Sequence, residues 1–216
     1  MRTWAFVAQK GGVGKSTLAL HLAVLAEEKG EIVAILDIDP QTTALRWAKE
    51  RGGNEPMVFA AATAKLRDSV EAARTLGVTL VIIDAPSKIE APSLAAIACA
   101  DLIVVPTRPG LLNLDAIEAT AKILEDSGRL HSAIAVVNAV EPNKVASSLG
   151  EAEAALDRLK FPMCPVHICQ RAPLESSLNS GRGITESHPK SPGAEEIRHL
   201  WAALDKLTAA RKKVRA

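Results

Sequence analysis

An apolar run, Thr3 to Ala8, leads through Gln9 into Lys10-Gly11-Gly12-Val13-Gly14-Lys15-Ser16-Thr17, and a helical pattern starts at once. Three glycines in four positions permit a tight backbone path on which successive N–H groups point inward. The helix that follows brings its positive end to the same place. A buried strand, a glycine-rich turn and a helix entered at that turn make a phosphate cradle, and they commit the chain to a sheet covered by helices. In such a cradle Lys15 reaches the β- and γ-phosphates of a nucleotide and Ser16 ligates Mg²⁺. Gly11, Gly12, Val13, Gly14, Lys15, Ser16 and Thr17 are therefore the expected nucleotide-binding residues. The common pattern G-x-x-x-x-G-K-[ST] would place a glycine where this chain has Gln9, and Lys10 is a cation beyond what that pattern requires.

The rest of the chain alternates short β-rich runs with longer helical patterns. Strands are expected at Thr3–Gln9, Ile32–Asp39, Met57–Ala61, Leu80–Ala85, Leu102–Thr107, Ala133–Ala139 and Cys164–Cys169. Most are apolar without strict alternation, as in strands covered on both faces. Helices are expected at Lys15–Lys29, Thr43–Glu50, Thr63–Leu76, Ala91–Cys99, Leu111–Ser127, Val145–Lys160 and Ala194–Ala210. Repeated βα units of this kind predict an α/β fold, a doubly wound and mostly parallel sheet flanked by helices, with ligands at the carboxyl ends of the strands. The length of 216 residues favours a single domain, 1–216.

Several strand ends carry side chains suited to a nucleotide. The second expected strand ends Asp37-Ile38-Asp39-Pro40-Gln41, with two carboxylates on one side and a proline that stops the strand. Such a pair either positions an attacking water near the metal or caps the next helix. The fourth delivers Asp84 at the tip of Val81-Ile82-Ile83, suited to the Mg²⁺ shell. The fifth runs into Thr107-Arg108-Pro109, where Arg108 is placed to touch a phosphate or a second subunit. Asp115 follows in the first turn of the next helix. The sixth ends on Asn138, whose amide offers a donor and an acceptor to the edge of an adenine ring. Arg171, after the seventh, stands by position on the other side of the base.

These three ordered motifs resemble the ParA/MinD family of P-loop NTPases with a deviant Walker A motif, and the likeness covers nearly the whole chain. With the loop beginning at residue 10, the small ParA-type partition ATPases are the nearest pattern. The resemblance implies that Lys10 crosses a dimer interface to the partner's nucleotide, that Asp39 orients the hydrolytic water and that Asn138 reads the base. Lys10, Lys15 and Asp39 are thus the expected catalytic residues, and Ser16 and Asp84 the metal ligands. It further implies an ATP- and Mg²⁺-dependent homodimer that binds non-specific DNA, a centromere-binding, ParB-like partner that stimulates hydrolysis, and a nucleoid-associated place in the cytoplasm. The chain departs from the family after Asp84. Ala85 stands where relatives carry a threonine, and Ser87 where a second proline is usual.

Charge narrows the partners. Lys and Arg (26) nearly balance Asp and Glu (25), so any nucleic-acid site is local rather than global. Basic residues gather late: Arg182, Arg198, Lys206, Arg211, Lys212, Lys213 and Arg215. They are the expected DNA contacts, each releasing counterions from a phosphate. The last helix should bury Ile197, Leu200, Trp201, Leu204 and Leu207. Its tail offers only Val214 as an apolar side chain, so no membrane anchor is expected there. The three cysteines show no CxxC spacing and fit a reducing cytoplasm. Two other readings share the phosphate chemistry: an ATPase that positions another cargo, such as a division site or protein cluster, and a metabolic ATP-dependent synthetase.

Overall fold

The computed structural model describes residues 1–53 and 55–215, with the side chains of residues 111–114 and 212–215 outside the description. The described strands are β1 (Arg2–Phe6), β2 (Val33–Asp37), β3 (Met57–Ala60), β4 (Leu80–Asp84), β5 (Leu102–Thr107) and β6 (Ala133–Val137). They form one sheet in the order β3-β2-β4-β1-β5-β6, and every pairing is parallel. Parallel strands need a crossover each. These are supplied by α1 (Lys15–Glu28), α2 (Thr43–Arg51), α3 (Leu66–Thr75), α4 (Ala91–Cys99) and α5 (Leu111–Asp126). Beyond β6 come α6 (Val145–Arg158), α7 (Ala172–Asn179), α8 (Ile184–Ser187) and α9 (Pro192–Arg215).

The two-residue period of the strands sorts the core into two layers. Trp4, Phe6, Ile35, Ile82 and Val104 face one side, against α1, α2, α7, α8 and α9. Ala5, Val7, Leu36, Ile83 and Val105 face the other, against α3, α4, α5 and α6. Buried residues follow one another from Leu18 to Ala26 along α1, so this helix is covered on nearly every side. That is the environment of a central helix whose N-terminus must stay in place. α9 closes the same layer. Trp201 packs on Trp4 with ring centroids 5.1 Å apart, and Trp4 Nε1 donates to Thr208 Oγ1 at 2.9 Å. The expected apolar face of the last helix holds, with Ile197, Leu200, Trp201 and Leu204 buried and Leu207 partly so.

Beyond β6 the structure departs from expectation in several places. The expected seventh strand, Cys164–Cys169, forms no ladder with β6. The segment follows the sheet edge through isolated bridges, Ala135 to Met163 and Val140 to Cys169, and through Ile168 N–H donating to Val137 O at 3.0 Å. Pro165 has no N–H to donate, so the segment loses one backbone donor at that position. The helix Ala172–Asn179, with Pro173 in its first turn, was not expected; its eight residues carry only Leu174 and Ser177 as buried positions. The last helix also begins two residues earlier and ends five residues later than its apolar pattern.

Candidate nucleotide and metal site

Parallel register brings the strand ends to one edge. Asp37 pairs with Asp84 across β2 and β4, and Phe6 pairs with Asp84 across β1 and β4. The loop leaving β1, the carboxylates ending β2 and β4, and the segments after β5 and β6 therefore open on the same side.

The phosphate loop is built as its glycines require. Gly12 has φ +72° and Gly14 φ +100°, both in the region glycine enters without a Cβ penalty. Gly14 caps α1, and Leu18 N–H donates to its carbonyl at 2.9 Å. A Cβ on Gly14 would lie 2.0 Å from Asn138 Nδ2. Asn138 itself is buried, and that same nitrogen donates to Val13 O at 2.7 Å. The residue expected to read the base thus holds the cradle from behind.

Lys15 is 5% exposed, and its Nζ donates to Ser87 Oγ at 3.0 Å. Burial lowers its pKa, against the opposing pull of Asp84 and Asp39. Asp84 is fully buried, and among the described residues neither carboxylate oxygen has a hydrogen-bond partner. Burial pushes its carboxyl up to about 7, against a pull from the neighbouring Ser16 hydroxyl and a further push from Asp37. A buried carboxylate without partners is unfavourable unless a cation meets it. Two open oxygens beside a serine hydroxyl suit a hard cation that prefers oxygen ligands, so the residues present fit Mg²⁺, with Ser16 and Asp84 as its holders.

The Asp37–Asp39 pair divides its work. Asp37 is buried, and Oδ2 accepts the N–H groups of Ala44 (3.0 Å) and Leu45 (3.1 Å) at the start of α2, while Oδ1 accepts that of Asp39 at 3.1 Å. It caps α2 and fixes the turn. Asp39 is half-buried, and among the described residues only Oδ1 is engaged, by Gln41 N–H at 2.9 Å.

A cavity of about 420 Å³ opens beside the loop. Lys10, Gly11, Gly12 and Val13 line it from one side, and Arg108, Ala139, Glu141 and Gln170 from the others. Arg108, expected to touch a phosphate or a second subunit, lines this space. Arg171 is directed elsewhere: Glu196 of α9 takes it in a two-point ion pair, with Nη2 to Oε1 at 2.7 Å and Nε to Oε1 at 3.2 Å. The other Glu196 oxygen accepts Cys169 N–H at 3.0 Å. This pair ties the last loop to α9, and Gln170 is the residue that reaches the cavity. Glu141 was missed because it follows Asn138 in a loop with no motif of its own. Ser87 was noticed only as a departure.

Among the described side chains the expected basic residues do not share one setting. Arg198 and Arg215 lie on one helix about 25 Å apart along its axis. Arg211 Nη2 donates to Ala133 O at 3.1 Å, turned inward on the start of β6. Arg182 is exposed and donates to Glu186 O at 3.2 Å, and Arg198 donates to Pro189 O at 2.8 Å. Lys206 is exposed, and the side chains of Lys212, Lys213 and Arg215 lie outside the described residues. Among the described residues no helix is long and apolar enough to cross a membrane.

Residues 4–184 match the CobQ/CobB/MinD/ParA nucleotide binding domain. The maintenance of carboxysome distribution protein A of Gloeobacter kilaueensis is 35% identical over 162 residues, covering 74% of this chain and 71% of that one. The chromosome-partitioning ATPase Soj of Thermus thermophilus is 27% identical over 237 residues, covering 93% of this chain and 94% of that one. The Aquifex aeolicus MinC:MinD cell division protein complex contains a chain that superposes with a TM-score of 0.79, at 19% identity, covering 95% of this chain and 96% of that one. With the loop, the strand-end carboxylates and this coverage in agreement, the chain belongs to the CobQ/CobB/MinD/ParA nucleotide-binding family, as a ParA-type ATPase.

Proposed function

We propose that this protein is a nucleotide-gated positioning ATPase, a homodimer when ATP is bound, which uses hydrolysis to release and relocate a cargo. The observation that carries this reading is a second lysine, Lys10, on the cavity wall beside the cradle that holds Lys15. One nucleotide needs one cradle lysine. A second lysine at the rim is placed to act outward, on a nucleotide held by another copy.

Within one subunit the roles follow from position. The N–H groups from Gly11 to Thr17 hold the phosphate oxygens, and Lys15 neutralises charge between the outer two phosphates. Ser16 and Asp84 would hold Mg²⁺, which when bound supplies further charge neutralisation on those oxygens. Asp39 keeps one oxygen free to orient an attacking water. Asn138 secures the loop and Gln170 faces the base, and Arg171 holds Gln170 in place through its pair with Glu196.

Two cargoes share this chemistry. Soj-like partitioning calls for non-specific DNA binding in the ATP state and a ParB-like activator. The exposed Lys206 and Arg182, with the tail beyond Arg211, are its DNA contacts. The 35% identity to a carboxysome distribution protein favours a second reading, a protein assembly as cargo. Binding to random-sequence duplex DNA is measured without nucleotide, with ADP, and with ATP plus Mg²⁺, across a salt series. Binding in the ATP state alone, falling steeply with salt, is the expected result. No DNA binding in any state, with ATP affinity intact, would remove DNA from the cycle and leave a cargo held by protein contacts.

A further inference from the structure

The loop between β4 and α4 carries one hydroxyl into the cradle. Ala85, the first residue after Asp84, is fully buried in the layer beneath α3 and α4, so its side chain points away from the nucleotide. Pro86 offers no polar atom. Ser87 is half-buried and turns back. Its Oγ accepts from Lys15 Nζ at 3.0 Å and lies 3.6 Å from where a Cβ on Gly11 would stand. The hydroxyl therefore sits between the cradle lysine and the first glycine of the loop.

We infer that Ser87 is a γ-phosphate sensor, a residue that makes this site prefer ATP to ADP. A serine hydroxyl can accept and donate at once. Here its acceptor side is engaged by Lys15, and among the described residues its own proton meets no acceptor. A phosphate oxygen gathered by Lys15 shares a donor with Ser87 Oγ and comes within reach of that proton. The β-phosphate is wrapped by the backbone of the loop, whereas the lysine tip serves the outer phosphate as well. The spare proton thus meets an oxygen that ATP carries and ADP lacks. This hydrogen bond to an anion draws the loop Pro86–Glu90, and with it the start of α4, toward the nucleotide. The triphosphate state is thereby reported to the molecular surface. The inference rests on the nucleotide site proposed above.

Affinities for ADP and for a non-hydrolysable ATP analogue, both with Mg²⁺, are measured by calorimetry on the full chain, as wild type, Ser87→Ala and Ser87→Thr. The expected result is a loss of about tenfold in the affinity of Ser87→Ala for the ATP analogue, with ADP affinity held within about twofold. Ser87→Thr, which keeps the hydroxyl, should restore the wild-type ratio. Equal losses for both nucleotides would make Ser87 a support for Lys15 and overturn the sensor; unchanged affinities would overturn it too. Failure of the wild type to bind either nucleotide would overturn the site itself, and that outcome is distinct from an unchanged ratio. Thermal melts of the three proteins without nucleotide separate lost recognition from lost folding.

Discussion

At the scale of single residues the phosphate loop is held by contacts its motif does not spell out. Gly14 needs no side chain for two separate reasons, its φ of +100° and the Asn138 amide 2.0 Å from its absent Cβ. Gly14→Ala should therefore lower stability by about 1–2 kcal/mol from the left-handed backbone alone. It should also abolish measurable nucleotide binding, because Asn138 must leave Val13 O. Denaturant melts and a fluorescent-nucleotide titration check both effects. Asp84 tests the metal assignment. Its two oxygens are buried and among the described residues have no hydrogen-bond partner, so Asp84→Asn should raise the melting temperature of the nucleotide-free protein by relieving a desolvated charge that Lys15 offsets only in part. The same variant should lose the extra stabilisation that Mg²⁺ adds to bound ATP. A variant that melts lower, or keeps the full Mg²⁺ effect, would place the cation elsewhere.

Among elements, the helix that carries the cradle is pinned by a buried histidine. His21 of α1 is 0% exposed; its Nε2–H donates to Leu174 O in α7 at 3.0 Å, and Nδ1 accepts Ile184 N–H of α8 at 3.1 Å. The bond accepted from Ile184 requires the neutral ring, and burial lowers its pKa from 6.5 to about 4, against the pull of the Leu174 carbonyl. The unfolded chain binds that proton first, so this histidine's contribution is complete above pH 6.5 and falls as the pH drops toward 4. Between pH 7.5 and 5 the loss should be about 2 kcal/mol. Asp84, pushed up by burial, works in the opposite sense over part of this range. The quantity to read is thus the difference between wild type and His21→Gln, which keeps a donor and an acceptor without titrating. Identical pH slopes in chemical denaturation would mean that the pin does not hold the ring neutral.

The same elements show how far the sequence could be read. The strands of the sheet were legible because each is a short apolar run buried on both faces, and the cradle because glycines, lysine and serine must stand in fixed order. Short helices were not. α7 has one full period of apolar spacing and a proline at its start, and it folds because α1, α2 and α8 offer it a surface. The edge segment after α6 looked like a strand from composition, and only Pro165 argued otherwise. Arg171 was misjudged for a related reason: proximity in sequence to the last loop gave no sign that Glu196, 25 residues on, would take its guanidinium. Asn138 is legible as an amide at a strand end, but its partner Val13 O is supplied only by the fold.

On the scale of the whole molecule, a fold of 22.8 kDa gathers its chemistry on the carboxyl edge of one sheet and leaves that edge open. Lys15, Asp84 and Ser87 lie inward, whereas Lys10 and Arg108 line an open cavity of about 420 Å³. A second copy facing this edge would cover the cavity and exclude water from two nucleotides at once, which is how a small ligand can drive association of two larger bodies. The expected signature is a mass near twice that of the chain in light scattering with a non-hydrolysable ATP analogue and Mg²⁺, and a single chain with ADP. Lys10→Ala should bind ATP within a few-fold of wild type, since Lys15 and the loop N–H groups remain, yet stay monomeric. If Lys10→Ala dimerised as readily as wild type, Lys10 would be a residue of its own subunit's site and the interface would have to be sought elsewhere. If it lost ATP binding altogether, the lysine would belong to the cradle proper. Only the pairing of intact ATP affinity with lost dimerisation makes the outward lysine the bond between copies and the nucleotide the switch.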